Sequence, residues 1–360
     1  MVASDYDWAA EVKEFDETKA GVKGLVDAGA TKLPRFFVHP PEVLDRHPRH
    51  KSANIELPTV DLRGTESGGA RRKEVVDQIA KAAREWGFFT IVNHGIPLEI
   101  MDAMLESTKR FHELPNEEKV PFYTTERLKS VKLNSNLPVD PNVPACWRDI
   151  LSIVYTNDEL DPQEIPSACR KEVEEYVKYM VEIRELMAEL ISEALGLPSD
   201  YLSKMECMKS QSMSCLYYPA CPEPHKTLGA PKHSDTTFLT LLITDSFGCL
   251  QMLHDDQWVD VPPLRGALIA NFGDLMQIIS NDKFISVEHR VLSQSMGPRI
   301  SVACFSTPTV EAAAKPFAPI KELLSDENPA AYREFLFKDY YQQYKTKGAR
   351  VASALEYYRI

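Results

Sequence analysis

Apolar positions along the chain recur at two periods, and the switch between them divides the sequence. Helical spacing dominates the first two hundred residues. "ESGGARRKEVVDQIAKAAREWG" predicts an amphipathic helix stopped by Gly87. "IPLEIMDAMLESTKRFHEL" predicts a second, opened by Pro97. "PQEIPSACRKEVEEYVKYMVEIRELMAELISEALG" predicts the longest, ending at Gly196. Strands are predicted at "IELPTVDLRG" and "FFTIVNHG". Residues 121–155, with Pro138, Pro141 and Pro144 close together, predict loops and short strands. From Lys209 to about Thr309, short apolar runs such as "SMSCLYYP", "FLTLLITD" and "RISVACFSTP" alternate with turn signals, the texture of a sandwich or barrel. "NPAAYREFLFKDYYQQYKTKG" returns to helix. Near the start, "LPRFFVHPPEVLDRHPRHK" is dense in Pro and His; it predicts an exposed, extended arm rather than a core element or a metal tract.

Composition narrows the function without naming it. With 360 residues, 44% apolar and 26% charged, the chain has the make-up of an ordinary globular protein of one large domain or two smaller ones. Its 41 basic and 53 acidic residues give a net charge of −12, which argues against nucleic acid or an anionic membrane as partner. No apolar run approaches the ~20 residues that span a bilayer. The seven cysteines are odd in number and lack a CxxC, and "MVASDYDWAAEVKEFDE" is too acidic for a signal or transit peptide. Free thiols in a reducing, cytoplasmic setting and a small-molecule partner are the expectation.

The candidate chemistry begins at "KHSDTTFLTLLITD", which predicts a single buried strand. Its first residues include His233 and Asp235, two apart and therefore on one strand face. His289, in "SVEHRVLS", follows Asp235 by 54 residues. Two His and one carboxylate on one face of an iron leave positions open for a chelating co-substrate and O2. Ten residues further, "PRIS" puts Arg299 and Ser301 on one face, where a guanidinium fork and a hydroxyl suit a carboxylate. Singly, each residue has a plain reading: a core histidine, a surface cation, a strand hydroxyl. The joint spacing favours the site. Tyr218 can add a phenolic donor. His94 is expected to bond backbone in a turn, His225 and His254 to be solvated, and Asp274 of "NFGD" to cap a following helix.

"YYPACPEP", "LGAPKHSDTTFLTLL", "DQWVDVPPLRGALIANFGDLMQIISNDKFISVEHRVL" and "GPRIS", with "LPTVDL" and "WGFFTIVNHGIP" upstream, resemble the plant 2-oxoglutarate/Fe(II)-dependent dioxygenases over nearly the whole chain. The N-terminal "EFDETKAGVKGLVDAG" resembles the branch containing desacetoxyvindoline 4-hydroxylase, benzoxazinoid dioxygenases and aminocyclopropane-carboxylate oxidase homologues. The resemblance implies a mainly β protein with flanking helices: a double-stranded β-helix (jelly-roll) core over residues 207–310, a helix-plus-strand region over 1–200 packed on it, and a helical tail over 311–360, all one structural unit. It implies Fe(II) on His233, Asp235 and His289, and 2-oxoglutarate on Arg299 and Ser301. Of the adjacent Tyr217 and Tyr218, it selects Tyr218 for the pocket. O2 is then the second co-substrate, ascorbate an activator, and a monomer the default state. The implied reaction hydroxylates or O-demethylates a small aromatic or alkaloid-like metabolite and releases succinate and CO2. Phe305 and Thr307, and more distantly Val131, Asn134 and Trp147, are the implied substrate contacts; core packing is the plain alternative for Phe305.

Two departures stand out. Leu216 replaces the Asn or His that many relatives place before the double tyrosine. "ITDSFGCLQ" replaces the commoner "LQDxxGGLQ", which predicts a local role for the turn near Phe247. Two other functions compete. An ascorbate-dependent aminocyclopropane-carboxylate oxidase is disfavoured by the N-terminal extension. A catalytically silent binder is disfavoured by five intact site residues.

Overall fold

The computed structural model describes residues 6–45, 56–124, 126, 129–135, 137–138, 140–156, 158–347 and 354–360. Twelve of its strands build two facing sheets: β1 (Thr59–Asp61), β2 (Phe88–Val92), β3 (Val131–Asn134), β4 (Asp149–Tyr155), β5 (Ser210–Tyr218), β6 (Leu228–His233), β7 (Leu239–Thr244), β8 (Leu250–His254), β9 (Gln257–Asp260), β10 (Leu268–Phe272), β11 (His289–Leu292) and β12 (Arg299–Thr307). The larger sheet runs β1-β2-β10-β7-β12-β5-β4-β3 and the smaller β6-β11-β8-β9. Among the named strands, β1 and β2 pair in parallel and the other pairs are antiparallel.

Period-two alternation gives the larger sheet two apolar faces. Leu151, Ile153, Met213, Cys215, Leu241, Ile243, Leu268, Val302 and Cys304 face one way. They share a core with the helices Gly69–Glu85, Leu98–His112 and Arg170–Ala194, through residues such as Ile79, Met104, Val173 and Met180. Each such fully buried side chain contributes about 1.5–3 kcal/mol. Phe88, Ile150, Leu216, Tyr218, Ile269 and Ala303 face the other way and meet Ala230, Leu250, Met252 and Val291 of the smaller sheet. The fold is a jelly-roll flanked by helices, as the strand texture and the resemblance predicted.

Of "NPAAYREFLFKDYYQQYKTKG", only Phe337–Lys347 is helical among the described residues, because Phe335–Leu336 pairs as a short strand with Pro316–Phe317. Two further expectations need correction. "KHSDTTFLTLLITD" is not one strand: β6 ends at His233, β7 begins at Leu239, and Ser234–Phe238 crosses between the sheets. The arm is not exposed at its start. Phe36 and Phe37 are buried with Phe15, Val22, Trp147 and Cys221. Backbone bonds hold it there, Ala145 N–H to the Phe36 carbonyl at 2.8 Å and His39 N–H to the Lys226 carbonyl at 2.9 Å. Two adjacent phenylalanines bury more apolar surface than the prolines beside them can hold in solvent. Residues 46–51 of that stretch lie outside the described ones. Among the described residues, no helix is long and apolar enough to cross a membrane.

Candidate metal centre and co-substrate pocket

Strand pairing sets the two histidines side by side. His289 opens β11 directly opposite His233 at the end of β6, and their rings lie 4.2 Å apart between centroids. Asp235 enters from the crossing segment. Its Oδ1 is 3.9 Å from His233 Nε2 and 3.7 Å from His289 Nε2. Ligand atoms of all three residues lie within 4.8 Å of one another.

The surrounding hydrogen bonds decide which atoms are free. His233 Nδ1 donates to the Pro231 carbonyl at 2.8 Å and His289 Nδ1 to the Val287 carbonyl at 3.1 Å. A carbonyl only accepts, so each Nε2 keeps its lone pair. Asp235 Oδ2 accepts from Thr240 Oγ1 at 2.6 Å and Asn271 Nδ2 at 2.8 Å. Oδ1 is left facing the imidazoles. Two nitrogens and one oxygen that converge, each oriented by a second bond, fit a facial Fe(II) site. Protonation agrees. Burial, aided by the neighbouring His289, pulls the His233 imidazole down to about 4. Burial would raise Asp235, but His289, His233, Asn271 and Thr240 hold its carboxyl below the ordinary value.

The second half of the site lies on β12 and β5. Arg299 pairs with Tyr218 and Ser301 with Leu216. Arg299 is 1% exposed. Its Nε donates to the Gly248 carbonyl at 2.6 Å, its Nη1 to Ser301 Oγ at 3.0 Å, and its Cζ lies 4.9 Å from the centre of the Tyr218 ring. Among the described residues, no carboxylate lies within salt-bridge distance of this guanidinium. Asp245 feels this guanidinium, but its carboxylate accepts from the Ile300 N–H; a buried cation without a direct ion pair is costly, and the arrangement suits a bound carboxylate. Gly229 makes room for Tyr218: a Cβ there would sit 2.7 Å from the ring.

Comparison with known proteins agrees with this geometry. Residues 209–308 match the 2OG-Fe(II) oxygenase superfamily. Residues 57–173 match the family described as non-haem dioxygenase in morphine synthesis N-terminal. The chain is 44% identical to 1-aminocyclopropane-1-carboxylate oxidase homolog 1 of Arabidopsis thaliana, over 97% of this chain and 96% of that protein. The chain belongs to the 2OG-Fe(II) oxygenase superfamily. It is also 45% identical to deacetoxyvindoline 4-hydroxylase of Catharanthus roseus, over 92% of this chain and 84% of that protein. The crystal structure of JOX2 in complex with 2OG, Fe and JA superposes with a TM-score of 0.83 at 29% identity, covering 94% of this chain and 97% of that one. The protein is thus a 2-oxoglutarate-dependent dioxygenase, with Fe(II) as its metal and 2-oxoglutarate as co-substrate.

The remaining sequence candidates separate. Phe305 shares a strand face with Arg299 and Ser301, pairs with Thr240, and is partly buried against the barrel interior. Thr307 ends that strand, its Oγ1 donating to the Ser210 carbonyl at 3.3 Å. Asn134 lies opposite Ile150, whose side chain faces the interior. Val131 does not line the interior; it turns to the helix-packed core with Leu133, Leu151 and Ile153, because β3 presents its odd positions there. Trp147 is likewise drawn elsewhere, into the N-terminal cluster, edge-on to Phe37 at 5.2 Å.

His94 bonds backbone as expected, Nε2 donating to the Gly266 carbonyl and Nδ1 accepting from Ile96 N–H. His225 is exposed. His254 is not a free surface group: its ring stacks on Trp86 at 3.9 Å. The turn at Phe247 touches the pocket through Gly248, whose carbonyl accepts from Arg299, while Phe247 itself is exposed. Asp274 does not cap the helix Asp274–Ile279; Gly273 is the N-cap, and the Asp274 carboxylate accepts from Ser234, Ser286 and Tyr340. Sequence reasoning missed Thr240 and Asn271. Their one signal is a polar residue inside an apolar strand run.

Proposed function

We propose that this dioxygenase hydroxylates or O-demethylates a small aromatic or alkaloid-like specialised metabolite. In this reading His233, Asp235 and His289 hold Fe(II), and Arg299, Ser301 and Tyr218 hold the far carboxylate of 2-oxoglutarate. The buried Arg299, whose guanidinium makes no direct ion pair among the described residues, on the same barrel as three convergent ligand atoms, carries the reading. Fe(II), when bound, supplies O2 activation coupled to decarboxylation of 2-oxoglutarate, which yields succinate and CO2. The chain's own work is orientation and exclusion of water. Arg299 fixes one end of the co-substrate, and the apolar interior around Phe88, Leu216 and Ala303 keeps the site dry. Phe305 forms part of the substrate wall.

The 45% identity to deacetoxyvindoline 4-hydroxylase supports an alkaloid-like substrate and hydroxylation. Demethylation needs no new machinery. A hydroxylated O-methyl group collapses to the free hydroxyl and formaldehyde, so the two outcomes differ in which C–H the pocket presents. Ascorbate serves to keep the iron reduced.

The test is anaerobic addition of Fe(II) and then 2-oxoglutarate to the apoprotein. A weak visible charge-transfer band is expected, diminished in Arg299→Ala. A metabolite panel scored by succinate release, with formaldehyde measured in parallel, then names substrate and outcome. Iron binding without a band, and turnover with ascorbate but no 2-oxoglutarate, would instead support the ascorbate-dependent oxidase.

A further inference from the structure

Asp274 is fully buried, carries a carboxylate, and lies outside the proposed ligand set. Its contacts come from three separate parts of the chain. Oδ2 accepts from Ser234 Oγ at 3.1 Å and from Tyr340 Oη at 2.6 Å; Oδ1 accepts from Ser286 Oγ at 2.7 Å. Its backbone N–H donates to the Asp235 carbonyl at 2.8 Å. Ser234 sits between His233 and Asp235. Ser286 precedes Val287, whose carbonyl orients the His289 ring. Tyr340 belongs to the C-terminal helix Phe337–Lys347 and is itself fully buried. Gly273 lets this junction close: a Cβ there would lie 2.2 Å from the Thr237 carbonyl oxygen and 2.8 Å from that of Asp235.

We propose that Asp274 is a positioning residue, braced by Tyr340, that fixes the segment bearing His233 and Asp235 relative to the segment bearing His289. The C-terminal helix thereby contributes to assembly of the metal centre although it supplies no ligand. A buried carboxylate is a poor choice for packing alone, since it costs several kcal/mol unless its acceptors are filled. Here every donor comes from a segment whose placement sets a ligand atom or from the tail. Groups that orient metal ligands typically carry a ten- to hundredfold share of metal affinity.

This inference rests on the Fe(II) reading above, and its test separates the two. Co(II), a coloured substitute for Fe(II), is titrated into the full-length apoprotein without 2-oxoglutarate, and the visible band and Kd are read. Tyr340→Phe, which keeps the ring, is expected to weaken Co(II) binding about three- to tenfold, and Asp274→Asn about ten- to hundredfold. The double variant should be no weaker than Asp274→Asn within about twofold, because Tyr340 acts through the carboxylate. Amides of residues 234–237 and 286–289 should exchange faster in metal-free Tyr340→Phe. If Tyr340→Phe lowers the melting temperature but leaves the Co(II) Kd, band and exchange unchanged, Asp274 and Tyr340 serve only the fold, and the proposal fails. If Asp274→Asn does not fold, Ser286→Ala takes its place with the same expectation as Tyr340→Phe. A wild-type protein that does not bind Co(II) overturns the metal reading, and this inference with it.

Discussion

At the scale of residues, the site is a question of which atoms are already spoken for. Asp235 presents Oδ1 because Thr240 and Asn271 occupy Oδ2. Asn271→Ala removes one of these donors and frees the carboxylate to rotate. Metal affinity is expected to fall about ten- to hundredfold with the fold retained, as read by Mn(II) or Co(II) titration alongside a thermal melt. Arg299→Lys keeps the charge but loses the fork that reaches Gly248 and Ser301. The KM for 2-oxoglutarate should rise at least about tenfold while metal affinity is unchanged. Equal effects on both constants would argue that Arg299 supports the barrel rather than the co-substrate. His233, Asp235, His289 and Arg299 were legible in the sequence because the chemistry demands rare residue types at fixed offsets. Thr240 and Asn271 were not. In "FLTLLI" and "ANFGD" they read as ordinary polar strand positions, and only the antiparallel pairing of β7 with β10, which sets Asn271 opposite Thr240, shows what they hold.

At the scale of elements, most helices and strands followed the hydrophobic periods, and the breaks did not. Ser234–Phe238 has the Thr and Phe content of a strand, yet its backbone turns away to bond the helix that follows β10: Asp274 N–H to Asp235 and Gly273 N–H to Phe238. Strand propensity yields to tertiary partners when these satisfy the same backbone groups. Val131 faces away from the interior for a related reason, since sequence alone does not say which side of β3 is the interior, and Trp147, which precedes β4, is claimed by Phe37 of the N-terminal cluster. The packing of β5 against β6 across the barrel makes a sharper case. Gly229 of β6 abuts the Tyr218 ring on β5, and Val291 Cγ1 is 3.2 Å from a Cβ built on it. Gly229→Ala therefore pushes Tyr218 from beside Arg299. Stability should fall by about 1–3 kcal/mol, and the KM for 2-oxoglutarate should rise several-fold with metal affinity preserved. Denaturant titration and co-substrate kinetics on the same preparation check both.

At the scale of the molecule, β5 joins the two halves of the protein. One face carries Leu216 and Tyr218 into the barrel, and the other carries Cys215 and Tyr217 to the helices. His112, at the end of its helix, is buried against that second face. Its Nε2 donates to the Cys215 carbonyl at 3.1 Å and its ring stacks on Tyr217 at 5.2 Å. Burial, with a smaller push from Lys119, lowers its imidazole to about 3. The unfolded chain takes up this proton near the ordinary value of 6.5, whereas the folded chain does not until about pH 3. The stability gained by holding His112 neutral is therefore complete above pH 6.5 and is lost as the pH falls through that window, by up to about 1.4 kcal/mol per pH unit. His112→Gln can donate to the same carbonyl without titrating. Urea unfolding at pH 7, 6 and 5 should show the wild type losing stability faster than the variant, the two curves diverging below pH 6.5. Because the same strand carries Tyr218, acid should also weaken 2-oxoglutarate binding in the wild type before it unfolds the protein, and less so in His112→Gln. Parallel stability curves would mean that His112 accepts a proton without leaving β5, and the helical layer would then have no hold on the pocket through this strand.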